Sequence, residues 1–178
     1  MIGTSIVALV GNPRAQSRTH RVALQAAQAI AARIGQPVAA ETVDLSAVAP
    51  YLLVATPSAA VELTLELVSG ADVLVVASPT YKGTYTGLLK AFLDRLPAGA
   101  LASTVALPLM VMGDAKHALA VEVHLRPLLV ELGAHVPTPG AVLLESQLPE
   151  AEELLDAWAD RVAPQVAGAL TSAIDIAR

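Results

Sequence analysis

Val73-Leu74-Val75-Val76-Ala77 is an uninterrupted apolar run, and Ser78-Pro79-Thr80-Tyr81-Lys82-Gly83-Thr84-Tyr85-Thr86-Gly87 follows it directly; the two stretches together decide the fold. A strand with one face in water alternates apolar and polar residues. A run without alternation belongs to a strand covered on both faces, as in a parallel sheet between layers of helices. Two glycines, one proline and several hydroxyls in the next ten residues mark an ordered turn at the carboxyl end of that strand.

The same alternation of short strand and longer helix extends outward in both directions. Ile6–Val10 reads as the first buried strand, and Thr19–Ile34 as a helix with Val22, Ala26, Ala29 and Ile30 at helical spacing and Gly35 as its stop. Val38–Val43 is the expected second strand, and Ala59–Ser69 a helix ended near Gly70. Beyond the opening run, Leu88–Leu96 is helical with one apolar side, and Val105–Met112 is the fourth strand. Pro108 within that strand points to a bulge or an unpaired ladder position. Ala115–Leu132 reads as one long helix, Ala141–Leu144 as the fifth strand and Pro149–Ile176 as the closing helix.

Five strands alternating with five helices imply right-handed βα crossovers and a three-layer α/β sandwich. The expected sheet is parallel, with strand order 2-1-3-4-5, and residues 1–178 form a single domain. In such sheets ligands bind beyond the carboxyl ends of the strands, near the switch in strand order. That directs attention to three loops: Gly11–Arg18, Ser78–Gly87 and Gly113–His117.

Composition narrows the function. The net charge is −5 and no Lys/Arg cluster is present, which argues against a nucleic-acid partner. The chain has no cysteine, which removes thiolate catalysis and Cys-ligated clusters and fits a reducing cytoplasm. The longest uncharged stretch, Leu96 to Gly113, contains Pro97, Gly99 and Pro108, so no membrane span is expected. No export signal is read at the N-terminus. Apolar residues make up 54% of the chain, above the usual ~45–50% of soluble domains. A single domain hides only part of such a surplus, so a homo-oligomer is expected. His20, His117, His124 and His135 have no metal-ligand spacing, and no metal site is expected.

The first loop reads Gly11-Asn12-Pro13-Arg14-Ala15-Gln16-Ser17-Arg18-Thr19. Ser17 or Thr19 caps the next helix, whose unpaired N–H groups and dipole form an anion site. Arg14 adds a rigid fork suited to a phosphate monoester. Read alone, the loop is equally a polar βα turn with a solvated arginine. It lacks the Gly-Lys-Ser/Thr ending of a P-loop and the G-x-G-x-x-G of a dinucleotide fold. In the third-strand loop, hydroxyls and backbone N–H groups suit the polar edge of a heteroaromatic ring, with Tyr81 or Tyr85 alongside.

Gly11-Asn12-Pro13-Arg14-x-x-Ser17-x-Thr19 taken with Ser78-Pro79-Thr80-Tyr81-Lys82-Gly83-Thr84-x-x-Gly87-x-x-Lys90-x-x-Leu93-Asp94 resembles the NADPH-dependent FMN reductases of flavodoxin-like fold. The similarity is strongest to the branch supplying reduced flavin to two-component monooxygenases such as those attacking alkanesulfonates. It continues through Leu107-Pro108-Leu109 and Ala118-Leu119-Ala120-Val121-Glu122, covering most of residues 5–145. The resemblance implies that Asn12, Arg14, Ser17 and Thr19 hold the FMN phosphate, with Asn12 standing where family members often have Ser. It implies that Pro79, Thr80, Tyr81, Lys82, Gly83 and Thr84 border the isoalloxazine, and that Gly113 and Asp114 approach its other edge. It also implies NADPH as reductant, with NADH open, and a flavin-dependent monooxygenase as partner.

The expected helix Ala115–Leu132 is apolar nearly all round and carries Pro127 in its middle. A proline there costs about 3 kcal/mol in a regular helix, because it lacks the N–H and clashes with the carbonyl four residues back. Either a simple kink or a π-type bulge around Val123–Pro127 relieves this. The resemblance implies a π-helix at a subunit interface, with His124 beside it. Three alternatives to a flavin reductase stay open: an FMN-containing quinone or azo reductase, a flavodoxin-type electron carrier, and a flavin-binding regulatory or storage protein.

Overall fold

The computed structural model describes residues 4–35, 40–56 and 58–176, with the backbone alone described for 172–176. Five strands form one parallel sheet: β1 (Ile6–Val10), β2 (Glu41–Asp44), β3 (Val73–Pro79), β4 (Val105–Met112) and β5 (Ala141–Leu144), in the order β2-β1-β3-β4-β5. The helices are α1 (Arg18–Arg33), α2 (Ala59–Ser69), α3 (Gly87–Leu93), α4 (Arg126–Glu131) and α5 (Ala151–Ile176).

The alternating side chains of each strand serve two cores. Ile6, Ala8 and Val10 of β1 and Val73, Val75 and Ala77 of β3 pack with α1 and α5. Val7, Leu9, Leu74 and Val76 point the other way, toward Val61 and Val68 of α2, Leu89 and Phe92 of α3, and Leu129 of α4. Every residue of β1, β3 and β4 is buried, which is why these strands show no polar alternation.

Sequence and structure differ at several boundaries. β2 begins at Glu41, and Val38 and Ala39 of the expected strand lie outside the described residues. β3 runs past its apolar stretch to Pro79, because Ser78 and Pro79 still pair in register with Met110 and Val111 of β4. α3 stops at Leu93, short of Leu96, and α5 starts at Ala151 after a 3-10 stretch at Glu145–Glu150.

Pro108 causes no bulge, since β4 stays in register with β3 from Val105 to Val111. The Ala106 N–H donates to the His135 carbonyl on the β5 side, and alternation puts the Pro108 nitrogen on that same side. Pairing with β5 starts only at Leu109, so the missing donor falls where the ladder has not yet begun.

The expected helix over residues 115–132 is three pieces. Ala115–His117 is a 3-10 turn, Val121–Leu125 is a π-helix, and α4 follows. The Arg126 N–H reaches back five residues to the Val121 carbonyl, and Pro127 falls in the first turn of α4, where no intrahelical donor is needed. The wide turn therefore removes the cost of the proline, and His124 lies within it. Glu122 and Arg126 pair across this turn, and Arg126 also donates to the carbonyls of Val136 and Thr138. Glu122 accepts from the Gly140 N–H at 2.6 Å, so the π segment is pinned to the chain entering β5.

Candidate functional site

β1 and β3 lie side by side, with Val10 opposite Ala77, so the loops that follow them emerge together at the carboxyl edge of the sheet. The first loop leaves through Gly11, whose N–H bonds the Ala77 carbonyl at 2.8 Å. A Cβ at Gly11 would lie 2.6 Å from Cβ of Leu89, so glycine lets α3 approach the loop this closely. Thr86, fully buried at the start of α3, donates to the Gly11 carbonyl and accepts from the Leu89 N–H, tying the end of the third-strand loop to the start of the first.

Within the first loop, Asn12 is buried and works in both directions. Its Oδ1 accepts from the Arg14 N–H at 3.0 Å, and its amide donates to the Thr19 hydroxyl at 3.1 Å. Ser17 is the N-cap of α1, and its hydroxyl accepts from the His20 N–H at 3.1 Å. Gln16 is in the left-handed region at φ 50°, with its N–H bonded to Asp44 at the end of β2. Among the described residues, the N–H groups of Ala15, Ser17, Arg18 and Thr19 have no acceptor, and the exposed Arg14 side chain has no partner. Four free donors and an arginine thus gather at the positive end of a 16-residue helix, the chemistry that suits an anion.

The third-strand loop is built from backbone. Thr80 N–H bonds the Val111 carbonyl at 2.8 Å, prolonging the β3–β4 ladder by one residue. Tyr81 and Thr84 exchange N–H···O=C bonds around Lys82 (φ 53°) and Gly83 (φ 85°), a tight turn with both central residues left-handed. Its donors at Tyr81 and Thr84 are therefore occupied, and those of Lys82 and Gly83 stay free. The Thr80 hydroxyl is buried and has no partner among the described residues. Ser78 is fully buried and accepts from the Thr86 N–H, which closes the loop. Tyr81 is exposed, whereas Tyr85 is half-buried against the second core.

Gly113 and Asp114 leave β4 at the same edge of the sheet. Asp114 caps the 3-10 turn by accepting from the Lys116 N–H at 2.9 Å and pairs with the Lys116 ammonium at 2.8 Å, which holds its carboxyl below the ordinary range. The sheet thus brings the expected residues of all three loops to one edge. Asp44, Ser78 and Thr86 organise that edge without being expected from the sequence. Thr86 and Asp44 do carry a local signal, since Thr or Asp just before a helical turn is a capping residue.

A five-stranded parallel sheet in this order, covered by helices on both faces, defines a flavodoxin-like α/β protein. The sequence model for NADPH-dependent FMN reductases matches residues 4–148, and the chain belongs to that family. Among curated relatives, an FMN reductase (NADPH) of Escherichia coli K12 is 35% identical over 145 residues, covering 80% of this chain and 74% of that one. An FMN reductase (NADPH) of Pseudomonas putida KT2440 is 41% identical over 87 residues, 49% of this chain, and the match spans 44% of that relative. Among solved structures, the apo form of the NADH:FMN oxidoreductase EMOB superposes with a TM-score of 0.76 at 36% identity, covering 96% of this chain and 88% of that one.

Proposed function

We propose that the protein transfers reducing equivalents from NADPH or NADH to FMN and passes reduced flavin to a partner flavin-dependent monooxygenase in the cytoplasm. One observation carries the reading: four unengaged N–H groups and an unpaired Arg14 at the start of α1 stand one strand from a buried, unpartnered Thr80 hydroxyl. The first feature fits a phosphate monoester, and the second needs a polar partner that the polypeptide does not provide.

In this reading the Ala15, Ser17, Arg18 and Thr19 donors and the Arg14 guanidinium hold the phosphate. Asn12 and the Thr19 hydroxyl fix the loop's shape, and the Ser17 hydroxyl caps α1 beside the anion. Pro79, Thr80, Tyr81, Lys82, Gly83 and Thr84 border the ring. The free N–H groups of Lys82 and Gly83 are the donors for its polar edge, where negative charge grows on reduction. Gly113 and Asp114 close the opposite side. Bound FMN supplies the hydride acceptor, so the chain contributes binding and orientation and needs no acid or base of its own. The NADPH and NADH named for relatives leave both reductants in the proposal.

A homo-oligomer, dimer or tetramer, completes the reading. Leu119 just before the π-helix, Val123 within it and Val130 on α4 are 71%, 56% and 54% exposed, apolar side chains of the kind that a second copy covers. No helix among the described residues is long and apolar enough to cross a membrane.

The test is to mix purified protein with NADPH and follow its oxidation with and without free FMN. Oxidation that requires added FMN and saturates with it is expected. A yellow protein that oxidises NADPH only when a quinone or dye is present would replace this reading with a fixed-flavin reductase. FMN binding without any oxidation would make it a carrier or storage protein.

A further inference from the structure

We propose that Asp44, at the carboxyl end of β2, is a positioning residue that sets the affinity for the FMN phosphate without touching it; this rests on the phosphate-loop reading above. Three groups converge on its carboxylate. Oδ2 accepts from the Gln16 N–H at 3.3 Å and lies 3.2 Å from Nδ1 of His20, and Oδ1 accepts from the Ser46 N–H at 3.0 Å. The side chain is mostly buried, at 17% exposure, and the His20 ring facing it at 27%. Asp44 therefore joins the sheet edge, the middle of the phosphate loop and the first turn of α1.

The bond to Gln16 matters most. Gln16 is one of two described residues other than glycine with positive φ, a conformation that costs an L-residue free energy and persists only where its surroundings hold it. It lies between Ala15 and Ser17, whose N–H groups are two of the four free donors. With the Gln16 N–H turned onto Asp44, its neighbours stay available for an anion. Released, Gln16 relaxes toward negative φ and the flanking peptide planes rotate.

A carboxylate near an anion site is itself unfavourable, and this one is offset by the His20 ring and by the N–H groups it accepts from. The useful property of Asp44 is therefore its acceptor geometry, not its charge. Asparagine keeps one acceptor oxygen for the Gln16 N–H, gives up the acceptor facing the Ser46 N–H and removes the charge, while alanine removes all three.

The experiment measures dissociation constants of the full-length protein for FMN and for riboflavin, which lacks the phosphate, by quenching of flavin fluorescence. Asp44→Ala is expected to weaken FMN binding about tenfold, from the lost hydrogen bond to the Gln16 N–H, with riboflavin binding changed less than about twofold. Asp44→Asn is expected to recover most of that loss in FMN affinity. Equal loss for both flavins, or no recovery in a folded Asp44→Asn, would make Asp44 a general structural residue and overturn the proposal. Unchanged FMN affinity in Asp44→Ala would overturn it too. If the wild-type protein binds FMN no more tightly than riboflavin, the phosphate-loop reading itself fails, and this inference with it.

Discussion

The loops after β1 and β3 leave adjacent strands at the same edge of the sheet, yet they are held in opposite ways. The first is shaped by side chains: Asn12, Ser17, Thr19 and Asp44 each bond a neighbour, and four backbone donors are left over. The second is shaped by backbone: a ladder extended to Thr80 and a two-residue left-handed turn, with one hydroxyl left over. The difference suits what we propose each loop meets. A phosphate wants several convergent N–H groups, so side chains must take up the competing donors. A flat ring wants a rigid edge with a few polar points, which a tight turn supplies. Thr86 joins the two, because its single hydroxyl bonds both Gly11 and Leu89.

The largest expected effect breaks that joint. Thr86→Val leaves the Gly11 carbonyl and the Leu89 N–H buried without partners, and urea unfolding should show a loss of about 2–4 kcal/mol. A loss below about 0.5 kcal/mol would mean that the loops are not coupled through this residue. Next, Arg14→Ala removes charge-assisted bonds worth about 1.5–3 kcal/mol and should weaken FMN binding roughly ten- to a hundredfold. Riboflavin affinity should not move in that variant; a parallel loss would place Arg14 near the ring.

Gly83→Ala attacks the other loop. At φ 85° an alanine is strained even though a Cβ there meets only open space, so a stability loss of about 1 kcal/mol is expected in the same unfolding experiment. Its effect on binding should be equal for FMN and riboflavin, the opposite signature to Arg14→Ala.

The smallest expected effect lies away from both loops. The Arg126 guanidinium and the Gly140 N–H hold the Glu122 carboxyl below its ordinary range. A lowered folded-state value means that this contribution is present above the unfolded value near 4.5 and is lost as pH falls through the folded one. Melting temperatures of wild type and Glu122→Gln should therefore differ at pH 7, and the gap should narrow as pH falls below the unfolded value near 4.5. A gap independent of pH would remove the ion pair as its cause.

Much of this was legible in the residues. Unbroken apolar runs such as Val73–Ala77 announce strands covered on both faces, and the count of βα units leads to the observed strand order. The loops after β1 and β3 both stand out by composition. The boundaries were less legible, for identifiable reasons. Ser78 and Pro79 carry no apolar signal, yet neighbouring β4 is long enough to pair with them. Residues 115–132 look like one helix because periodicity does not register a single extra residue in a turn; only Pro127 signals the π segment. Asp44 is invisible to any local pattern as a loop-positioning group, because its partner Gln16 lies 28 residues away and meets it only when β2 pairs with β1.

In the proposed function the two loops have separate tasks, one for a phosphate and one for a ring. The direct measurement is the affinity of the wild-type protein for FMN and for riboflavin under identical conditions. FMN should bind at least about tenfold more tightly, the weight of a single charge-assisted contact to the phosphate. Equal affinities would mean that the donors at the start of α1 hold no phosphate, and the division of labour between the loops would be wrong.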